Sequence, residues 1–210
     1  METNQQDITL LKEFGVKNCG DTKMIEVETK LLSSPNIIYR SAKNEQTSIT
    51  VKNASWVMRD NNILYNSKEL TKWLIVWITD TNNEAENYMS ILAKGIRETF
   101  NLKSGLIVSE PKLLFKPGSS IDQSILDSIQ QQCSNPKLVV FIINKNEERE
   151  KIKYFIEKTN GLMTQCIKLD KFVAQTIDQR KLSMYLSNLV LKLNIKLGGM
   201  NNLVCSHFLE

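Results

Sequence analysis

The chain has 210 residues and a formal net charge of +4, with 41% hydrophobic and 24% charged residues, which is close to the globular average. This composition excludes a disordered tail, a collagen and a low-complexity linker. The longest apolar runs, residues 73–78 and 138–143, are far shorter than the roughly 20 residues of a membrane helix. A single histidine, His207, excludes most sites built from imidazoles. We therefore expect a binding module with no enzymatic activity, no cofactor, no metal ion and no membrane partner.

Strands and helices alternate along most of the chain. Residues 1–70 contain short apolar patches between polar turns, which predicts an extended linker with a few short strands. From Trp73 onward, continuous apolar runs alternate with stretches of helical periodicity. The predicted strands are residues 73–79, 137–143 and 164–169, with strand character also within residues 104–115. The predicted helices are residues 84–101, 120–133, 147–158 and 180–197.

This alternation predicts the α/β fold class. We expect a Rossmann-like, mostly parallel sheet with helices on both faces, preceded by the extended linker. Ligands of such sheets bind beyond the carboxyl ends of the strands. The sequence contains no GxGxxG after a strand and no GxxxxGK[ST], so its motifs do not indicate a dinucleotide-binding or P-loop domain.

Positive charge is concentrated in one part of the chain. Residues 1–143 carry 16 basic and 16 acidic residues, whereas residues 144–200 carry 11 basic and 6 acidic residues. A local excess of this kind favours an anionic partner such as a phosphate or a nucleic acid. A solvated lysine-rich surface is the alternative explanation.

Four side chains can form an anion site at one end of the predicted sheet: Lys153, Gln165, Lys192 and Lys196. Lys192 and Lys196 are four residues apart and lie on one helix face, and Asn188 extends the same stripe. Three ammonium groups around a small volume repel one another unless an anion neutralises them. A terminal phosphate, with close to two negative charges, suits such a site. Lysines that are simply solvated remain the alternative.

Two sequence blocks resemble a known family. Residues 187–202 read SNLVLKLNIKLGGMNN and residues 161–166 read GLMTQC. Together they resemble the MID domain of eukaryotic Argonaute proteins, running into the first strand of the PIWI domain. Residues 13–16 (EFGV) and 55–59 (SWVMR), the latter followed by Lys72-Trp73, are similar to blocks of the family's second linker. The resemblance implies a linker over residues 1–70, a MID-like domain over residues 71–197 and the start of a truncated PIWI domain over residues 198–210.

The resemblance also assigns site residues. It implies that Lys153, Gln165, Lys192 and Lys196 bind the 5′-phosphate of a guide RNA, with Lys171 as a further candidate near the phosphate. Asn188 is a further candidate because it extends the helical stripe of Lys192 and Lys196. Lys192 is more like the Argonaute branch, in which lysine charge replaces a metal ion.

Contacts to the first base are expected from a different group of residues. Arg149 stands where the family usually has a tyrosine that stacks on this base, and a guanidinium can stack as well. Asn144, Lys145 and Asn146 form the loop that the family uses to read the base. The stretch between Gln165 and Lys192 is longer than is usual in the family, which places extra residues in a predicted loop over residues 171–180.

The implied function is binding of a small single-stranded guide RNA by its 5′-phosphorylated end, in RNA-mediated gene silencing. The expected partners are this RNA and, in a full-length protein, the PAZ and PIWI domains. Four scattered cysteines favour a reducing compartment, either the cytoplasm or the nucleus, and we expect a monomer. The first alternative is a degenerate Argonaute paralogue that acts as a protein-interaction module without RNA binding. The second is an α/β enzyme that binds a small phosphate ligand.

Overall fold

The computed structural model describes residues 13, 15, 26–29, 33–58, 62–78, 85–116 and 121–205. The chain consists of two compact units, Met1–Ser33 and Ser34–Glu210. All strands and helices named below belong to the second unit. Predictions made for Phe14, Val16, Arg59 and His207, for residues 79–84 and for residues 206–210 lie outside the described residues. The boundaries at residues 70 and 197 stay predictions.

Strands and helices alternate in the described residues from Trp73 onward. The strands are β1 (Asn36–Ser41), β2 (Gln46–Thr50), β3 (Asn62–Ile63), β4 (Trp73–Ile78), β5 (Lys112–Lys116), β6 (Leu138–Ile143), β7 (Thr164–Lys168) and β8 (Leu203–Cys205). The helices are α1 (Ala85–Ser104), α2 (Gln123–Gln132), α3 (Asn146–Lys151) with a π-helical continuation (Ile152–Thr159), α4 (Leu169–Thr176) and α5 (Gln179–Lys196). None of the described helices is long and apolar enough to cross a membrane.

The central sheet is parallel and four-stranded. Its order is β5-β4-β6-β7, and each neighbouring pair is parallel. Every residue of β4 and β6 is buried, as expected for the uninterrupted apolar runs WLIVWI and LVVFII. The register sets Val140 of β6 opposite Gln165 of β7, which fixes the position of Gln165 beside the middle of β6.

Helices cover both faces of this sheet. Leu92 of α1, Phe172 of α4 and Leu186 of α5 are buried in one core with Ile75 of β4. Helix α2 and the π-helical segment pack in a second core with the alternate side chains of β4 and β6. The α/β fold class with helices on both faces is therefore confirmed.

A small antiparallel sheet precedes the α/β layer in the chain. Strand β1 pairs with β2 on one side, and with both β3 and β8 on the other. Ile37 of β1 lies opposite Val204 of β8, so residues from both ends of the second unit meet in this sheet. The short strands predicted before residue 70 are confirmed.

Two local predictions differ from the structure. The predicted loop over residues 171–180 instead contains α4, because Phe172 is fully buried and anchors a turn of helix against the core. The predicted helix over residues 147–158 begins as α-helix and becomes π-helical at Ile152. The Oγ1 atom of Thr159 donates to the carbonyl of Tyr154, five residues earlier, at the end of this segment.

Asn194 joins α5 to two other segments. Its side chain is fully buried. Its Nδ2 donates to the carbonyl of Asn66 (3.2 Å) and to Oδ1 of Asn201 (3.1 Å), and its Oδ1 accepts from the backbone N–H of Lys68 (3.1 Å). A Cβ atom at Gly199 would lie 2.3 Å from Oδ1 of Asn194, so only glycine fits beside this network. The asparagine and the second glycine of the KLGG block are therefore structural.

We expect Asn194→Ala to lower the free energy of unfolding by on the order of 3 kcal/mol, because it leaves buried partners without hydrogen bonds. Urea unfolding of the chain measures the change. Asn188→Ala, at an exposed asparagine of the same helix, is the matched control and should change stability by less than about 0.5 kcal/mol. Equal losses in the two variants would contradict the structural role of Asn194.

Candidate nucleic-acid interface

A cavity of about 640 Å³ opens at the carboxyl end of β6 and along β7. Helix α3 with its π-helical continuation forms one wall, and α5 forms the other. The lining is rich in cations and contains no carboxylate among the described residues. It consists of Ile143, Asn146, Arg149, Lys153, Gln165, Cys166, Ile167, Lys168, Lys171, Tyr185, Asn188, Leu189, Lys192 and Lys196.

Two lysines that line this cavity converge on one backbone oxygen. The Nζ atoms of Lys153 and Lys196 both donate to the carbonyl of Thr164, at 2.9 and 2.7 Å. Lys153 also donates to Oγ1 of Thr164 at 2.9 Å. Burial, and then the positive charge of Lys153, lower the pKa of Lys196. The two ammonium groups therefore repel each other, and a bound anion would reduce this repulsion.

Glu157 supplies part of the compensating charge. Its Oε2 accepts from Nζ of Lys153, from the hydroxyl of Thr164 and from the backbone N–H of Thr164 (3.3 Å). Burial alone would raise the pKa of Glu157, but the hydrogen bonds from Lys153 and Thr164 and the nearby ammonium charges hold it below its usual value. Glu157 is thus an anion under ordinary conditions and orients Lys153 rather than lining the cavity.

Neither Glu157 nor Thr164 was predicted from the sequence. The signal for Glu157 is its position four residues after Lys153, where a carboxylate faces the lysine across one helical turn. Thr164 stands directly before Gln165 in the TQC block. Its role depends on backbone geometry, which sequence spacing does not reveal.

The other two residues of the predicted phosphate site also line the cavity. Gln165 extends from β7, and its Nε2 donates to the carbonyl of Cys166 (2.9 Å). Lys192 lies one helical turn before Lys196 on α5 and is exposed. Burial raises the pKa of the Cys166 thiol, which favours the neutral thiol over the nucleophilic thiolate.

The structure divides the remaining candidates into two groups. Arg149, Asn146, Lys171 and Asn188 line the same cavity as the phosphate candidates. Asn144 and Lys145 are exposed and are not among its lining residues.

The backbone of the predicted base-reading loop has a structural partner. The N–H groups of Asn144 and Lys145 donate to Oε2 of the buried Glu148, at 2.8 and 3.0 Å. These bonds fix the start of α3 and direct Asn146 and Arg149 towards the cavity.

Residues 137–208 match the family model described as "Piwi domain". The chain is 26% identical over 195 residues to Protein argonaute-2 of Drosophila melanogaster, in an alignment that covers 91% of this chain and 15% of that protein. The chain therefore spans only a small part of this relative.

Two solved structures share the fold. The crystal structure of the Arabidopsis thaliana AGO5 MID domain is 20% identical, has a TM-score of 0.53, and matches over 67% of this chain and 97% of that one. The crystal structure of Kluyveromyces polysporus Argonaute with a guide RNA is 16% identical, has a TM-score of 0.61, and matches over 91% of this chain and 23% of that one. The Piwi-domain match and the Drosophila relative, together with the sequence blocks quoted above, confirm the predicted resemblance to the Argonaute family, and the two solved structures show the shared fold.

Proposed function

We propose that the cavity binds the 5′-phosphorylated end of a small single-stranded guide RNA, as the MID module of an Argonaute-like protein in RNA-mediated gene silencing. The observation that carries this proposal is the convergence of Lys153 and Lys196 on Thr164 in a cavity that Gln165 and Lys192 also line. A structurally similar Argonaute was solved with a guide RNA, which supports the same class of ligand.

Each residue has a stated role in this proposal. Lys153, Lys192 and Lys196 neutralise the phosphate, and lysine charge serves in place of a metal ion. The Gln165 amide donates to a phosphate oxygen after leaving the carbonyl of Cys166. Charge-assisted hydrogen bonds of this kind contribute about 1.5–3 kcal/mol each. Arg149 contacts the first base.

The proposal includes the setting of this chain. In a full-length protein its partners are the PAZ and PIWI domains, and the module itself acts as a monomer without a catalytic step. The raised pKa of Cys166, the thiol in the cavity, supports binding rather than covalent chemistry. The described cysteines Cys133, Cys166 and Cys205 are free, which supports the cytoplasm or the nucleus as the compartment.

The second candidate function is a protein-interaction module derived from an Argonaute. Arg149 at the expected stacking position favours it, as does the pairing of Lys153 with Glu157. The cavity volume of about 640 Å³ favours the RNA ligand, because side chains do not fill the space beside the lysines. Binding experiments with RNA separate the two functions.

We expect 5′-phosphorylated RNA to bind more tightly than the same RNA with a 5′-hydroxyl, with an affinity that falls as salt rises. Lys196→Ala should weaken binding of the phosphorylated strand by roughly ten- to a hundredfold, because one charge-assisted contact is lost. A fluorescence titration measures both effects. Lys181→Ala, at an exposed lysine of α5 outside the cavity lining, is the matched control. Equal affinities for the two RNA ends would overturn the proposal and favour the interaction module.

The lowered pKa of Lys196 predicts a pH dependence. An ordinary lysine has a pKa of about 10.4. Lys196 loses its proton at a lower pH, at which an ordinary lysine is still charged. The 5′-phosphate stays a dianion above its second pKa of about 6, so only the protein titrates. Affinity for a 5′-phosphorylated oligoadenylate should therefore fall as the pH rises from neutral towards the pKa of Lys196.

Lys196→Arg provides the control for this pH dependence. Arginine remains charged throughout the alkaline range, so its profile should be flatter than that of the unaltered chain. A parallel fall in the two profiles would show that another group titrates.

A further inference from the structure

The cavity is elongated along α5. Four of its lining residues, Tyr185, Asn188, Lys192 and Lys196, follow one another at spacings of three, four and four residues and so share one helix face. At about 1.5 Å per residue, Tyr185 lies roughly 10 Å from Lys192 and roughly 16 Å from Lys196 along the helix axis. Side chains on one helix incline in the same direction, so these separations are kept at the cavity wall. The cavity is therefore longer than a phosphate requires.

Tyr185 is the one aromatic residue among the described residues that line the cavity. Its ring packs on the buried ring of Phe172, with 6.0 Å between centroids and 46° between planes. Phe172 in turn packs edge-on against Tyr88 at 6.4 Å. The Tyr185 ring is thus held in place from the core side while it remains only half-buried. A ring that is already immobilised loses little conformational entropy when a ligand stacks on it.

The chemistry around Tyr185 suits a nucleobase. Lys168 and Lys171 line the cavity where the chain passes from β7 into α4. Lys168 is paired with Asp170 at 3.2 Å, so Lys171 is the residue of the two that provides positive charge for a phosphodiester backbone. Burial raises the pKa of the Tyr185 hydroxyl, so the ring is neutral and does not repel an RNA strand. Aromatic rings beside cations are the usual arrangement by which proteins bind single-stranded nucleic acid.

We propose that Tyr185 is a stacking platform for the second base of a strand whose 5′-phosphate is bound at Lys153, Gln165, Lys192 and Lys196. This inference rests on the proposed function. The ring lies about two helical turns from Lys192 and three from Lys196, which is beyond the reach of a base attached to the anchored phosphate through a single sugar. The first base contacts Arg149 on the opposite wall, and the strand then passes along α5 to Tyr185.

The test uses 5′-phosphorylated RNA with one abasic nucleotide at position 1, 2 or 3. With the unaltered chain, the abasic nucleotide at position 2 should weaken binding by roughly five- to a hundredfold, the range expected for loss of one stacked base. Tyr185→Leu keeps apolar contact with Phe172 but has no ring. It should bind intact RNA and position-2 abasic RNA equally. Tyr185→Phe keeps the ring and should retain the difference.

Tyr154→Ala is the matched control, because Tyr154 is an exposed tyrosine on the π-helical segment and does not line the cavity. It should respond to the abasic nucleotides as the unaltered chain does. A position-2 effect that persists in Tyr185→Leu would overturn the proposal. The proposal would also be overturned if Tyr185→Leu removed the effect of an abasic nucleotide at position 1 or position 3 instead of position 2.

Failure of the proposed function and failure of the stacking platform give different results. If the unaltered chain does not distinguish a 5′-phosphate from a 5′-hydroxyl on position-2 abasic RNA, the phosphate site itself is wrong. If that distinction persists while Tyr185→Leu behaves as the unaltered chain does, only the stacking platform is wrong.

Discussion

The carbonyl oxygen of Thr164 determines the arrangement of the candidate site. It accepts hydrogen bonds from two ammonium groups that carry the same charge, Lys153 and Lys196. This is possible because β7 is the last strand of the sheet, and carbonyls on its outer side have no neighbouring strand to accept from. The repulsion between the ammonium groups is offset by Glu157, which accepts hydrogen bonds from Lys153 and from the N–H and the hydroxyl of Thr164. The sheet edge thus concentrates positive charge at one point.

The KLNIKLGG block combines residues with two different tasks on one helix. Lys192 and Lys196 line the cavity, whereas Asn194, between them, is fully buried and hydrogen-bonded to Asn66 and Asn201. Residues two apart on a helix point in different directions, so the lysines face the cavity while the asparagine between them anchors the helix. The buried amide joins α5 to the segments at Asn66 and Asn201, which helps to keep Lys196 at the carbonyl of Thr164.

Sequence patterns predicted the elements with strong periodicity. The apolar runs of β4 and β6 and the amphipathic stripe of α5 were recognised because each buries a continuous surface. In the structure the four phosphate candidates line one cavity, as the family resemblance implied. Periodicity does not fix the order of strands in a sheet or the pairing of β1 with β8, because these contacts join residues far apart in the chain.

Tertiary contacts and backbone geometry account for the features that the sequence did not predict. Helix α4 has only eight residues, and its formation depends on the burial of Phe172 between Tyr88 and Tyr185, a tertiary contact. Each backbone hydrogen bond of a π-helix spans five residues rather than the four of an α-helix, a difference that composition does not encode. The N–H groups of Asn144 and Lys145 donate to Glu148, a contact that the sequence did not predict, and the contact of these two residues with the first base stays a prediction.

Charge alone does not give the cavity its selectivity. Ammonium groups attract any small anion, and salt screens the attraction between exposed charges beyond about 10 Å. Discrimination between a nucleic acid strand and a free anion must therefore come from the uncharged part of the lining. Gln165 and Asn188 provide amides with directional hydrogen bonds, and Tyr185 provides an aromatic surface. In this chain the aromatic group is on α5 and the guanidinium of Arg149 is on α3, so two groups able to stack on a base are contributed by opposite walls of one cavity.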